Sequence, residues 1–193
     1  MLLMTRLYSY QVVITSVTEI LLAIYLLRDL GIRLSDLYRD DVRNVRCIGW
    51  IALLVLFCEG LFFLESLISA NLYYSGDVGK YWSWWYDMIK HVPLWARYFN
   101  ALAIPFISGV CEEVIYRAYG VTALEKLVGF KKAVIIQAIA FGVFHVWPLH
   151  ILITFTIGLV FGLVYVRRRK LTVLTVAHTL VDLIGFSTFI VPR

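Results

Sequence analysis

Six long hydrophobic runs, at about 10–27, 47–70, 94–124, 133–147, 149–166 and 171–189, take up most of this 193-residue chain. A bilayer core about 30 Å thick needs roughly 20 apolar residues per helical crossing, and helices satisfy their own backbone groups where lipid cannot. Composition points the same way. The chain is 61% apolar and 16% charged, with a mean hydropathy of +0.81, where an ordinary soluble domain is roughly 45–50% apolar and about 25% charged. These figures exclude a soluble globular enzyme, a disordered chain and a nucleic-acid module, so no nucleic-acid partner is expected. They predict an all-α, polytopic integral membrane helix bundle of about six transmembrane helices, forming one domain over residues 1–193. The lipid bilayer is its first partner, and any chemistry has to be built from side chains on the spans themselves.

The net charge of +5 is spread in a way that fits a membrane protein rather than a binder of polyanions. Arg28, Arg33, Arg39, Arg43 and Arg46 share one inter-span segment, Lys126, Lys131 and Lys132 another, and Arg167, Arg168, Arg169 and Lys170 a third. With alternating spans all three fall on one side, the cytoplasmic side by the positive-inside rule, and both termini fall on the other. The stretch 71–92, rich in tyrosine and tryptophan, reads as an aromatic belt at the opposite interface. The first run has no small-residue cleavage site and reads as a retained span. Cys47, Cys58 and Cys111 lack ligand spacing and read as packing residues.

Ionisable residues inside spans are functional candidates, because each costs roughly 2.5–3.5 kcal/mol at a helix centre. Glu112, Glu113 and Arg117 fall within six residues of one another, and exposing all three to lipid would cost about 8–10 kcal/mol on that scale. Glu113 and Arg117, at i and i+4, share a helix face, so Arg117 is the natural counter-ion of Glu113. Glu112 is turned about 100° away and has no local cation. In the fourth run Phe141 lies one turn before His145. In the sixth, His178 and Asp182 are again i and i+4, a spacing that lets a carboxylate orient an imidazole. Helical rise places Glu112, His145 and His178 at compatible depths. Glu19, Glu59 and Glu65 are expected to be structural, and His91 and His150 interfacial.

At these residues the sequence resembles the CPBP intramembrane proteases, the group containing the type II CAAX prenyl endopeptidases and the bacterial Abi proteins. Cys111-Glu112-Glu113-Val114-Ile115-Tyr116-Arg117 is similar to its E-E-x-x-x-R motif, Phe141 to His145 to its F-x-x-x-H motif, and His178 to Asp182 to its H-x-x-x-N/D motif. Asp182 stands where the prenyl endopeptidases usually carry Asn. The three motifs occur in the family's order, each in its own run, over about 105–182, and imply a catalytic core at about 94–189. The resemblance implies hydrolysis of a peptide bond in a membrane-attached peptide or protein, in a prokaryotic cytoplasmic membrane. Glu112 would be the general base, His145 would help hold the water, and His178, oriented by Asp182, would stabilise the oxyanion or bind a metal. Glu113, Arg117 and Phe141 would support them.

Two mechanisms stay open at this stage. Glu112, His145 and His178 make an acceptable zinc set with a fourth position for water, and the same groups can run a metal-free glutamate mechanism, so zinc is a possible cofactor. Competing intramembrane chemistries lack their motifs: no H-E-x-x-H, G-x-G-D or G-x-S-G occurs. The alternative from another class is a non-catalytic membrane interaction or bacteriocin-immunity protein that keeps the protease fold.

Overall fold

The structure, a computed structural model, describes residues 2–39 and 43–190. Residues 40–42, in the middle of the expected surface segment 28–46, therefore lie outside the described residues. The elements are α1 (Leu2–Leu30), α2 (Leu34–Leu37), α3 (Val45–Tyr73), α4 (Val78–Lys90), α5 (Leu94–Leu102), α6 (Ile104–Glu112), a π-helical segment (Glu113–Val121), α7 (Thr122–Val128), α8 (Phe130–Phe144), α9 (Pro148–Arg168), α10 (Thr172–Phe186) and a closing 3₁₀ turn (Ser187–Phe189). The described residues contain no strand, as the composition predicts.

Local chemistry sets the ends of these helices. Asn44 and Asp77 accept from the backbone N–H groups of Arg46 and Lys80, at 2.9 and 3.0 Å, and so start α3 and α4. Pro148 opens α9, a position where its missing N–H costs nothing. Pro105 has no N–H to offer the turn before it, and there the 94–128 run bends by 44° at Ala103.

Among the described residues, four helices are long and apolar enough to cross a membrane: 7–30, 45–73, 148–168 and 172–189. A fifth crossing is reached if the bent pair 94–102 and 104–128 is one span. The remaining expected span, the fourth, is α8, whose 15 residues rise only about 22 Å, short of the hydrocarbon thickness. The expected count of six is therefore not reached by length. The tight turn at 145–147 and Pro148 stop α8 early. The aromatic stretch 71–92 is not a span. It holds the 13-residue α4, whose Ile89 packs with Val92, Ala96, Ala101 and Phe189 in a small core of its own.

Two ends of the bundle are tied by different chemistry. At one, Arg169 grips Glu125 with both terminal nitrogens (2.6 and 2.7 Å), Lys170 donates to the Asp36 carbonyl (2.7 Å), and the Leu171 N–H donates to the Leu37 carbonyl (2.9 Å). This brings the three basic segments together. At the other, Tyr8 donates to Asn100, Trp85 to Thr188, and Arg97 to the Phe189 carbonyl.

The main core runs through α3, α6, the π segment, α8, α9 and α10. α8 and α9 pack most extensively, and α10 lies against α6 and α3. The α6–α10 crossing is close because Gly109 has no side chain. A Cβ there would sit 2.2 Å from the Thr179 hydroxyl and 3.1 Å from the Thr179 backbone nitrogen. Small residues at crossings are how membrane helices approach one another without a hydrophobic driving force. Gly109→Val is expected to lower stability by about 1–3 kcal/mol through overpacking, read as a lower thermal unfolding temperature in detergent micelles. Gly49→Ala, where a Cβ meets nothing within 4 Å, is the control and should not lower it.

Candidate active site

The α6–α10 contact leaves three motif carboxylates around one imidazole. His178 donates from Nδ1 to Glu113 Oε1 at 2.9 Å, and its Nε2 lies 3.7 Å from both Glu112 Oε2 and Asp182 Oδ2. The two nitrogens sit on different edges of the ring, so one histidine meets both adjacent glutamates although these leave their helix in different directions. His178 is only 12% exposed as a side chain, and Glu113 is fully buried.

The expected Glu113–Arg117 pair is present at 3.1 Å, with both side chains fully buried. It sits where the backbone widens into the nine-residue π segment, a distortion that concentrates at functional sites. The Arg117 guanidinium lies over two phenyl rings, 4.3 Å from the Phe141 centroid and 5.3 Å from that of Phe161. A desolvated contact of this kind is worth about 2 kcal/mol. Phe141 also meets Tyr116 edge to face at 5.1 Å and the rings of His145 and His178 at 4.9 and 6.3 Å. One phenyl ring thus touches the Arg of the first motif, the His of its own and the His of the third.

Asp182 faces His178 as its spacing predicts, 3.7 Å from Nε2, and a second carboxylate hydrogen-bonds the other edge of the ring. His178 is oriented by Glu113, one helix away, while Asp182 Oδ2 lies 2.5 Å from the Ser108 hydroxyl. Ser108 is one turn before Glu112 and so shares its face of α6, the sequence signal that could have found it. His145 closes α8. Its Nδ1 bonds the Phe141 carbonyl at 2.8 Å, and because a carbonyl only accepts, Nδ1 carries the proton and Nε2 is the free nitrogen.

Other intramembrane acids reach the same region. Glu19 of α1 is within electrostatic reach of His178, Asp182 and Glu112, and Glu59 of α3 within reach of Asp182. His91 is exposed and bonds the Asp87 carbonyl at the end of α4, in keeping with an interfacial place. His150, in the first turn of α9, pairs with Glu65.

Several buried polar atoms have no hydrogen-bond partner among the described residues, including Glu112 Oε2, Glu113 Oε2 and the guanidinium nitrogens of Arg117. Native interiors leave few such groups. Among the described residues no three His, Cys, Asp or Glu side chains converge closely enough to hold a metal ion. Glu112, His145 and His178 do not form such a cluster in this arrangement.

No curated protein and no solved structure matches the chain. A family model described as type II CAAX prenyl endopeptidase Rce1-like matches residues 93–184, a stretch that contains Ser108, Glu112, Glu113, Arg117, Phe141, His145, His178 and Asp182. With its apolar helices, this makes the protein an integral membrane protein. Over residues 93–184, just under half of its length, the chain is similar to the type II CAAX prenyl endopeptidases of the CPBP/CAAX protease family.

Proposed function

We propose that this protein hydrolyses a peptide bond in a membrane-anchored peptide or protein, with Glu112 as general base and no metal in the chemical step. One observation carries this reading. Glu112 Oε2 and His178 Nε2 face each other at 3.7 Å, beyond hydrogen-bond distance, so each has capacity left for a third molecule. The unpartnered Glu112 oxygen supports a water at that position.

Glu112 takes a proton from the water as its oxygen attacks the scissile carbonyl carbon. The carbonyl oxygen becomes an oxyanion, facing His178 Nε2. Glu112 then returns the proton to the departing nitrogen as the C–N bond breaks, leaving a carboxylic acid and an amine. His145 Nε2 helps hold the water. Glu113, fixed by Arg117, holds the His178 ring from its other edge, so the oxyanion partner is in place before charge develops. The reading places the basic-loop end of the bundle in the cytoplasm of a prokaryotic cell.

Purified protein in proteoliposomes, given a fluorogenic farnesylated C-terminal peptide, tests this. Glu112→Gln should lower the rate by about 10²–10⁴-fold, the usual contribution of a positioned base, without lowering the unfolding temperature. Wild-type turnover by Glu112→Gln would overturn Glu112 as the base, and no turnover by the wild-type protein would leave the fold as a non-catalytic interaction or immunity protein. Treatment with 1,10-phenanthroline should leave the rate unchanged. A loss restored by added zinc would contradict the metal-free step.

A further inference from the structure

A second pair of ionisable side chains lies beside the site. His150, in the first turn of α9, bonds through Nδ1 to both oxygens of Glu65 on α3, at 2.9 and 3.1 Å. Phe62, three residues before Glu65 and on the same face of α3, stacks on the His150 ring at 5.6 Å with the planes only 20° apart. α3 therefore holds this imidazole by its edge and by its face. Neither residue lies in the three motifs, and neither has a part in the steps described above.

His150 also meets a residue of the site. Its ring centroid is 5.3 Å from that of His145. The two histidines are brought together by the three-residue link between α8 and α9. There the Trp147 N–H donates to the His145 carbonyl at 2.7 Å, and Val146 adopts φ +67°. A β-branched residue in the left-handed region is strained, and such strain persists where surrounding contacts over-determine the backbone. The Glu65–His150 bond is one of those contacts, because it fixes the start of α9 against α3.

His145 has one remaining torsional freedom that matters. Its Nδ1 is tied to the Phe141 carbonyl, so the direction of Nε2 depends on how the ring tilts about that bond. Phe141, Phe144 and His150 are the ring neighbours that limit the tilt, at 4.9, 5.8 and 5.3 Å. Two of these lie on α8 itself. His150 is the one anchored from another helix.

We infer that Glu65 and His150 form a positioning pair for His145, aiming its Nε2 at the water held by Glu112. This rests on the reading of His145 as a water-holding group. The pair touches neither water nor substrate and acts through the His145 ring. The hydrogen bond and the stack together account for a carboxylate on α3 facing an imidazole in the first turn of α9.

The full-length protein in proteoliposomes, with the farnesylated fluorogenic peptide, separates positioning from simple packing. His150→Phe keeps an aromatic ring against Phe62 and removes the bond to Glu65. Glu65→Ala removes the acceptor, and Glu65→Gln retains one. His150→Phe and Glu65→Ala should each lower kcat by about 10–100-fold, the scale of a misplaced catalytic group, with KM and unfolding temperature unchanged. Glu65→Gln should lose less than Glu65→Ala. Wild-type kcat in His150→Phe overturns the inference, as does a loss that merely tracks a lower unfolding temperature across the three variants. Full activity in His145→Ala would instead overturn the reading of His145 on which the inference stands.

Discussion

A fully buried arginine is the constraint around which this bundle is organised. Arg117 lies inside the bundle, paired with Glu113 at 3.1 Å and capped by the faces of Phe141 and Phe161. Withdrawing an ion pair from water costs several kcal/mol per ion, and the attraction within the pair only partly offsets this. The pair is therefore a poor device for stability, and hydrophobic side chains of similar volume would pack as well. What it supplies is a fixed anion. Glu113 presents the same oxygen, Oε1, to Arg117 and to His178 Nδ1, so the charge that neutralises the arginine also sets the rotation of the imidazole.

From that lock the geometry spreads through three helices. Gly109 lets α10 approach α6 closely enough for His178 to reach Glu113. Phe141 bridges α8 to both, covering Arg117 while contacting the rings of His145 and His178. Glu112 is left beside His178 Nε2 with an oxygen that bonds no described residue. That oxygen faces a His178 ring already held from its other edge, and His145 keeps a free nitrogen, which is the pattern expected of a site pre-organised for an incoming water and peptide.

Much of this was legible in the sequence, and the rest was not for identifiable reasons. Hydropathy alone gave an all-helical membrane bundle, because uncharged runs of that length have few other solutions. The i,i+4 spacing was enough to pair Glu113 with Arg117, and the one-turn spacing of Phe141 and His145 put them in contact. At His178 the same rule found a neighbour but not the hydrogen-bonded partner. It selected Asp182, but the tertiary approach of α10 to α6 supplied Glu113 at shorter range, and Ser108 took up Asp182. Spacing within a helix cannot register a partner on another helix. For the same reason the Glu65–His150 bond between α3 and α9 was invisible, as was the nearness of Glu19 to the site. The span count failed differently: the bend at Ala103 and the shortness of α8 depend on backbone geometry at Pro105 and at 145–147, which hydropathy averages over.

The central claim is that the buried Glu113–Arg117 pair is kept to aim His178 rather than to hold the fold. The double substitution Glu113→Gln with Arg117→Met removes both charges at nearly constant volume. Measuring its unfolding temperature and its turnover of the membrane-anchored peptide in one preparation tests that claim most directly. The account predicts unfolding at or above the wild-type temperature with hydrolysis lost. Wild-type turnover in the double variant, or an unfolded protein, would contradict it.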